Sequence, residues 1–144
     1  MSRSRRSAAP TRPPEFFLDR GLGRRVAEEL AALGWIVHRI TDHFPDDAQT
    51  VGDDEWLEYG LERTWVPLCK DGRIRGRDHE RRPIETRGGV LFHLDNQRLV
   101  TAEMVQRFHR SRTSIWECVD RGGPAIYAVG AEHVYRTWPP RRRR

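Results

Sequence analysis

Glu15-Phe16-Phe17-Leu18-Asp19-Arg20-Gly21 is the stretch on which the fold turns. An unbroken apolar run closed by a carboxylate and a glycine, with helical patterning after it, reads as a short strand buried on both faces. Such strands belong to parallel sheets covered by helices. In open sheets of that kind, function gathers at the carboxyl ends of the strands, where Asp19 sits. A second apolar run, Trp65-Val66-Pro67-Leu68-Cys69, closes the same way in Lys70-Asp71. Two buried strands that each deliver an Asp to one sheet edge point to an acidic site.

Working outward, Gly21 to Leu33 is expected to be the first helix, with Val26, Ala27, Leu30, Ala31 and Leu33 as its apolar stripe and Gly34 as its stop. Trp35 to Ile40 reads as strand two. Asp53 or Asp54 opens a helix that runs to about Arg63, where an Asp can cap free N–H groups. Strand three is Trp65 to Cys69, with Pro67 awkward because proline cannot donate to a ladder. A basic helix or turn is expected over Arg73 to Arg82, broken by Pro83 and Gly88-Gly89. Val90 to Leu94 reads as strand four. One long helix is expected from Thr101 to Val119, on the spacing of Met104, Val105, Phe108, Ile115, Trp116 and Val119. Ala125 to Val129 gives a fifth strand, and Glu132 to Trp138 is a candidate last edge strand. Alternation of strand and helix implies an α/β fold with right-handed crossovers.

The chain of 144 residues suits one domain. Its net charge of +5 is unevenly placed. Residues 1–14, rich in Arg, Ser and Pro, read as a disordered basic arm, and 139–144 as a basic tail, around a domain at 15–138. All 21 acids lie within 15–135, so that segment is acidic. Asp42 to Glu62 holds eight acids and no Lys or Arg, whereas Lys70 to Arg87 holds seven basic residues against four acids. No apolar run approaches the ~20 residues of a membrane span, the N-terminus lacks a signal-peptide pattern, and Cys69 and Cys118 make no disulfide framework. A cytoplasmic protein is expected.

Cleaving a phosphodiester needs positive charge at the phosphate and an activated water, which Mg²⁺ or Mn²⁺ supplies; these hard ions take carboxylate oxygens. Asp19 and Asp71 are the strand-end candidates and Asp53 the third, with Asp54 its close rival; Asp42 and Asp95 fall on the same edge. Each acid taken singly also fits a helix cap or a solvated loop. Lys70 either meets the phosphate or is a strand-end lysine with a solvated head. Arg73, Arg75, Arg77, Arg81 and Arg82 suit RNA phosphates or, equally, a salt-bridged helix. The Arg-rich termini add affinity for nucleic acid or only solubility. Gly21-Leu22-Gly23 fails as a dinucleotide fingerprint because Val26 stands at the third glycine position. The six histidines show no zinc spacing, and no serine or cysteine sits in a nucleophile elbow.

Phe16 to Gly23, Asp42-His43-Phe44-Pro45, Asp53 to Leu57 and Lys70-Asp71 with Arg73-Ile74-Arg75 together resemble PIN-like domains, and more narrowly the VapC-type toxins of prokaryotic toxin–antitoxin pairs. The resemblance spans about residues 15–136. It implies a three-layer α/β/α sandwich with a mostly parallel four- to five-stranded sheet, and a Mg²⁺- or Mn²⁺-dependent endoribonuclease held in check by a small antitoxin. By motif position it implies that Asp19, Asp53 and Asp71 hold the metal and that Lys70 is the basic residue beside the last acid; toxins of this kind often form homodimers, while the sequence itself leaves the oligomeric state open. Pro67-Leu68-Cys69 departs from the family's β-branched pattern. The rival reading is the same fold with a degenerate site, binding nucleic acid or protein. A receiver-like phosphoacceptor domain is disfavoured: it needs adjacent acids after strand one and a Lys after the last strand.

Overall fold

The computed structural model describes residues 12–44 and 51–140. Most of the expected basic arm, residues 45–50 and the arginines at 141–144 lie outside the described residues. Six strands form one sheet: β1 (Glu15–Leu18), β2 (Ile36–Arg39), β3 (Val66–Cys69), β4 (Val90–Leu94), β5 (Ala125–Val129) and β6 (Val134–Trp138). Their order across the sheet is β2-β1-β3-β4-β5-β6, with all pairs parallel except β5 and β6. The antiparallel β6 takes the sheet one strand past the expected four or five. Five helices cover it: α1 (Arg24–Ala32), α2 (Asp53–Glu62), α3 (Asp78–Arg87), α4 (Thr101–Arg110) and α5 (Arg112–Arg121). Among the described residues no helix is long and apolar enough to cross a membrane.

The period-two alternation of a strand divides β1 between two cores. Phe16 and Leu18 point into one, shared with α1, α4 and α5 through Val26, Leu30, Met104, Val105, Phe108 and Ile115. Phe17 points into the other, where α2 and α3 supply Trp56, Leu57, Leu61 and Ile84. Phe16 and Phe17 are both fully buried, each contributing about 2–3 kcal/mol of apolar burial. Helices on both faces leave the strand's carboxyl end as the place where a polar side chain can emerge.

Pro67 is tolerated in the middle of the sheet because of which way it faces. The Asp19 amide donates to the Leu68 carbonyl at 3.0 Å, so residue 68 presents its polar groups to β1 and the nitrogen of Pro67 faces β4. Pairing between β3 and β4 starts only at Leu68 with Phe92, so the proline shortens that ladder at its beginning and leaves the carboxyl end paired.

Three helix boundaries differ from the sequence expectation. The helix expected from Gly21 begins only at Arg24, after a 3₁₀ turn at Arg20–Leu22, because Gly23 takes φ +87°, a conformation that glycine adopts without penalty. Gly34, at φ +100°, ends the segment as expected. Pro83 does not break the basic helix: α3 runs through it to Arg87, with Pro83 and Ile84 buried against the second core. The long C-terminal helix is two, joined at Ser111, whose amide closes α4 on Arg107 O and whose carbonyl accepts from Ile115 N to open α5. The bend keeps Ile115 and Cys118 on the sheet.

Candidate functional site

Because β1, β3 and β4 are adjacent and parallel, Asp19, Asp71 and Asp95 all emerge on one edge. Asp53 opens α2, whose Gly60 lies so close to the Phe17 ring that a Cβ there would collide with it. This close approach sets α2 against β1 and brings Asp53 towards Asp19. The electrostatics of Asp19 register both other acids. The Asp19 carboxyl is pushed up to about 6, first by burial and then by the negative charges of Asp53 and Asp71, against the pull of the Arg20 and Gly21 amides. The thiol of buried Cys69 is likewise driven well up, by burial and then by Asp19, Asp53 and Asp71. Asp19 thus feels two acids, Asp53 and Asp71, and Cys69 feels both of these and Asp19.

Each flanking acid is steered from inside the protein. Asp53 Oδ1 accepts from Trp56 Nε1 at 2.9 Å, an i, i+3 pair on one helix face. Asp71 Oδ1 accepts from the Arg73 amide at 3.0 Å and from Arg73 Nε at 3.1 Å. Burial raises the Asp71 carboxyl, but these bonds outweigh it and hold it below the usual range. Lys70 lies on the same edge: a Cβ on Gly21 would stand 3.6 Å from both the Lys70 Cβ and Asp19 Oδ2.

The remaining acids are engaged elsewhere. Asp42 forms a two-point pair with Arg39, 2.9 and 3.3 Å. Asp54 stands 3.6 Å from His79 Nε2. Asp95 accepts from Arg107 Nη1 at 2.8 Å and from the Tyr135 hydroxyl at 3.0 Å. The basic segment is mostly bound internally: Arg73 to Asp71, Arg77 to Glu80, and Arg81 to Asp78 and Glu85. The structure therefore favours the salt-bridged reading of that helix over an open RNA-binding face. His43 lies 3.0 Å from the Tyr59 hydroxyl.

His93 carried no role on sequence grounds. It is the one buried polar side chain among the described residues, 3% exposed, with Nε2 3.1 Å from Thr137 Oγ1. A Cβ on Gly72 would collide with its ring and with the Arg75 guanidinium, so His93 is packed directly beneath the turn that carries Asp71. Burial and then Arg75 hold its imidazole below the ordinary value, against the Leu94 carbonyl, Asp71 and Asp95. The only sequence signal was a polar residue inside the apolar run Val90 to Leu94.

Among the described residues no three His, Cys, Asp or Glu side chains close to the geometry that holds a metal ion. Burial and then the charges of Asp53 and Asp71 raise the Asp19 carboxyl, and carboxylate oxygens are the donors that hard divalent cations take. Positive charge placed there relieves that repulsion.

Neither a comparison with curated proteins nor one with solved structures finds a match. A family model described as PIN like domain matches residues 14–96. PIN domains are generally nucleases and typically use divalent metals. The matched span covers more than half the chain and contains Asp19, Asp53, Lys70 and Asp71; the chain belongs to the PIN-like domain family.

Proposed function

We propose that the protein is a divalent-metal-dependent endoribonuclease, the toxin of a toxin–antitoxin pair. The observation that carries the nuclease chemistry is the Asp19 carboxyl raised to about 6 by burial and by Asp53 and Asp71 at the carboxyl edge of the sheet. Asp19, Asp53 and Asp71 would hold Mg²⁺ or Mn²⁺, which when bound supplies positive charge to phosphoryl oxygens and acidifies water. Asp19 is the central donor, set by the end of β1. Trp56 and Arg73 each occupy one oxygen of their neighbouring carboxylate and so turn the other outward. Lys70, whose stem lies beside Gly21 and Asp19, meets the scissile phosphate. Water adds to phosphorus as the P–O bond to the leaving sugar oxygen breaks. The likeness to VapC-type toxins supports a small antitoxin partner, a cytoplasmic setting and a homodimer.

The second reading, a degenerate module that binds RNA without cutting it, is favoured by one observation: Asp53 and Asp71 each spend an oxygen inside the protein. The deciding experiment is cleavage of a structured RNA by the purified chain with Mn²⁺, Mg²⁺ or EDTA, wild type beside Asp71→Asn. Metal-dependent cutting that the variant loses is expected. RNA bound but uncut in every metal establishes the second reading.

A further inference from the structure

Both ring nitrogens of the buried His93 bond away from the three acids. Nδ1 lies 2.9 Å from the Leu94 carbonyl oxygen, which can only accept, so Nδ1 carries the hydrogen. Burial favours the neutral ring, which leaves Nε2 to accept from the Thr137 hydroxyl at 3.1 Å. Thr137 belongs to β6, so this bond reaches across β5 to β4. The same hydroxyl oxygen stands 3.3 Å from the Ile126 carbonyl of β5. The ring held in this way meets the turn after β3. A Cβ on Gly72 would stand 2.5 Å from His93 Cε1 and 2.7 Å from Nε2, so only a hydrogen fits between backbone and ring. Gly72 has φ −102° and ψ 21°, a conformation that L side chains adopt; the glycine serves the contact with the ring and not the turn. Arg75 Nη1 closes that turn by donating to the Gly72 carbonyl at 2.9 Å. Asp71, one residue earlier, accepts the Arg73 amide on Oδ1.

We infer that His93 is a positioning residue for Asp71 and that Thr137 holds it in place: β6 fixes the ring, the ring supports Gly72, and Gly72 sets the carboxylate that precedes it. The inference rests on the nuclease reading for its effect on catalysis, but not for the coupling between β6 and the turn. It gives a role to a strand outside residues 14–96, the span that the PIN-like family model matches. The last strand is thereby part of the site although it supplies none of the three acids.

The test is Thr137→Val, which keeps the shape of the side chain and removes its hydroxyl, beside Thr137→Ser, which keeps the hydroxyl. Amide hydrogen exchange of the full-length chain in EDTA reads the turn through the Arg73 N–H, held by Asp71 Oδ1. The Arg98 N–H, held in the same way by Asn96 Oδ1, is the control on the far side of His93. Thr137→Val is expected to speed exchange at Arg73 about fivefold, as the loss of one hydrogen bond allows, with Arg98 unchanged. Under saturating Mn²⁺ its kcat for RNA cleavage should fall about 3- to 10-fold at unchanged KM. Thr137→Ser should behave as wild type in both measurements. Equal acceleration at Arg73 and Arg98 overturns the positioning role, because general loosening of the fold then accounts for it. A Thr137→Ser as impaired as Thr137→Val overturns it too. Exchange needs neither metal nor RNA, so the failures separate. Faster Arg73 exchange in a protein that never cleaves RNA sinks the nuclease reading alone, and cleavage that Thr137→Val leaves untouched sinks the positioning role alone.

Discussion

Asp19 and Asp95 each stand one residue past a buried parallel strand, and the protein treats them in opposite ways. Asp95 has its charge answered: Arg107 from the last turn of α4 and Tyr135 from β6 take one oxygen each. Asp19 is set among like charges and its carboxyl rises to about 6. Equivalent position in the strand therefore does not give equivalent chemistry. The neighbours across the edge decide: β4 faces an arginine-bearing helix, while β1 faces the start of α2 and the end of β3. His93, between them, senses both sides, since Asp71 and Asp95 both draw its imidazole upward against burial.

The largest effect that tests this contrast is on activity. Asp19→Asn is expected to lower metal-dependent RNA cleavage by about 10³-fold or more, roughly 4 kcal/mol of barrier. Asp95→Asn should leave the rate within about threefold. Comparable losses in the two variants, measured as initial rates under saturating Mn²⁺, would abolish the distinction.

Next in size is the approach of α2. Gly60→Ala drives a methyl into the Phe17 ring and is expected to cost about 2–3 kcal/mol in urea unfolding, as an overpacked core does. The same substitution displaces Asp53 from Asp19, so cleavage should fall in the folded fraction also. Little of this was legible in the chain. The buried strands and their succession along the chain could be read, because apolar runs ending in Asp carry their own signal. Gly60 sits inside a helix with nothing to mark it. What makes it necessary is Phe17, 43 positions away, and only tertiary packing joins them. The pairing of Asp95 was hidden for a similar reason: Arg107 and Tyr135 lie far along the chain. The split at Ser111 was hidden because the apolar stripe keeps helical spacing across it.

Stability should separate the two acids with opposite sign. An Asp whose folded value is about 6 against an ordinary 3.8 binds its proton more tightly when folded. Its favourable contribution is thus complete below about pH 4 and lost as pH rises through about 6. At pH 7 in EDTA, Asp19→Asn is expected to stabilise the fold, by about 1–3 kcal/mol at 1.36 kcal/mol per pK unit, and the gain should vanish below about pH 4. Asp95→Asn, which leaves Arg107 and Tyr135 with a weaker partner, should destabilise by about 1 kcal/mol. Urea unfolding at pH 4 and pH 7 reads both. A destabilised Asp19→Asn at pH 7 would mean that the carboxylate is satisfied after all.

The smallest effects sharpen the contrast most, because they remove one donor from one carboxylate oxygen on each side. Trp56→Phe takes the indole N–H from Asp53 Oδ1; Tyr135→Phe takes the hydroxyl from Asp95 Oδ2. Each loses one hydrogen bond to a charged group and should cost about 1.5 kcal/mol of stability, with some added packing loss at the buried Trp56. Their activities should nevertheless part company. If Trp56 turns Asp53 towards the site, its loss lowers kcat several-fold with little change in RNA affinity, whereas Tyr135→Phe leaves kcat alone. Equal kcat values in the two variants would make the Trp56 bond a helix-end contact of the same structural kind as the one to Asp95, and would leave Asp19 and Asp71 to account for the site without it.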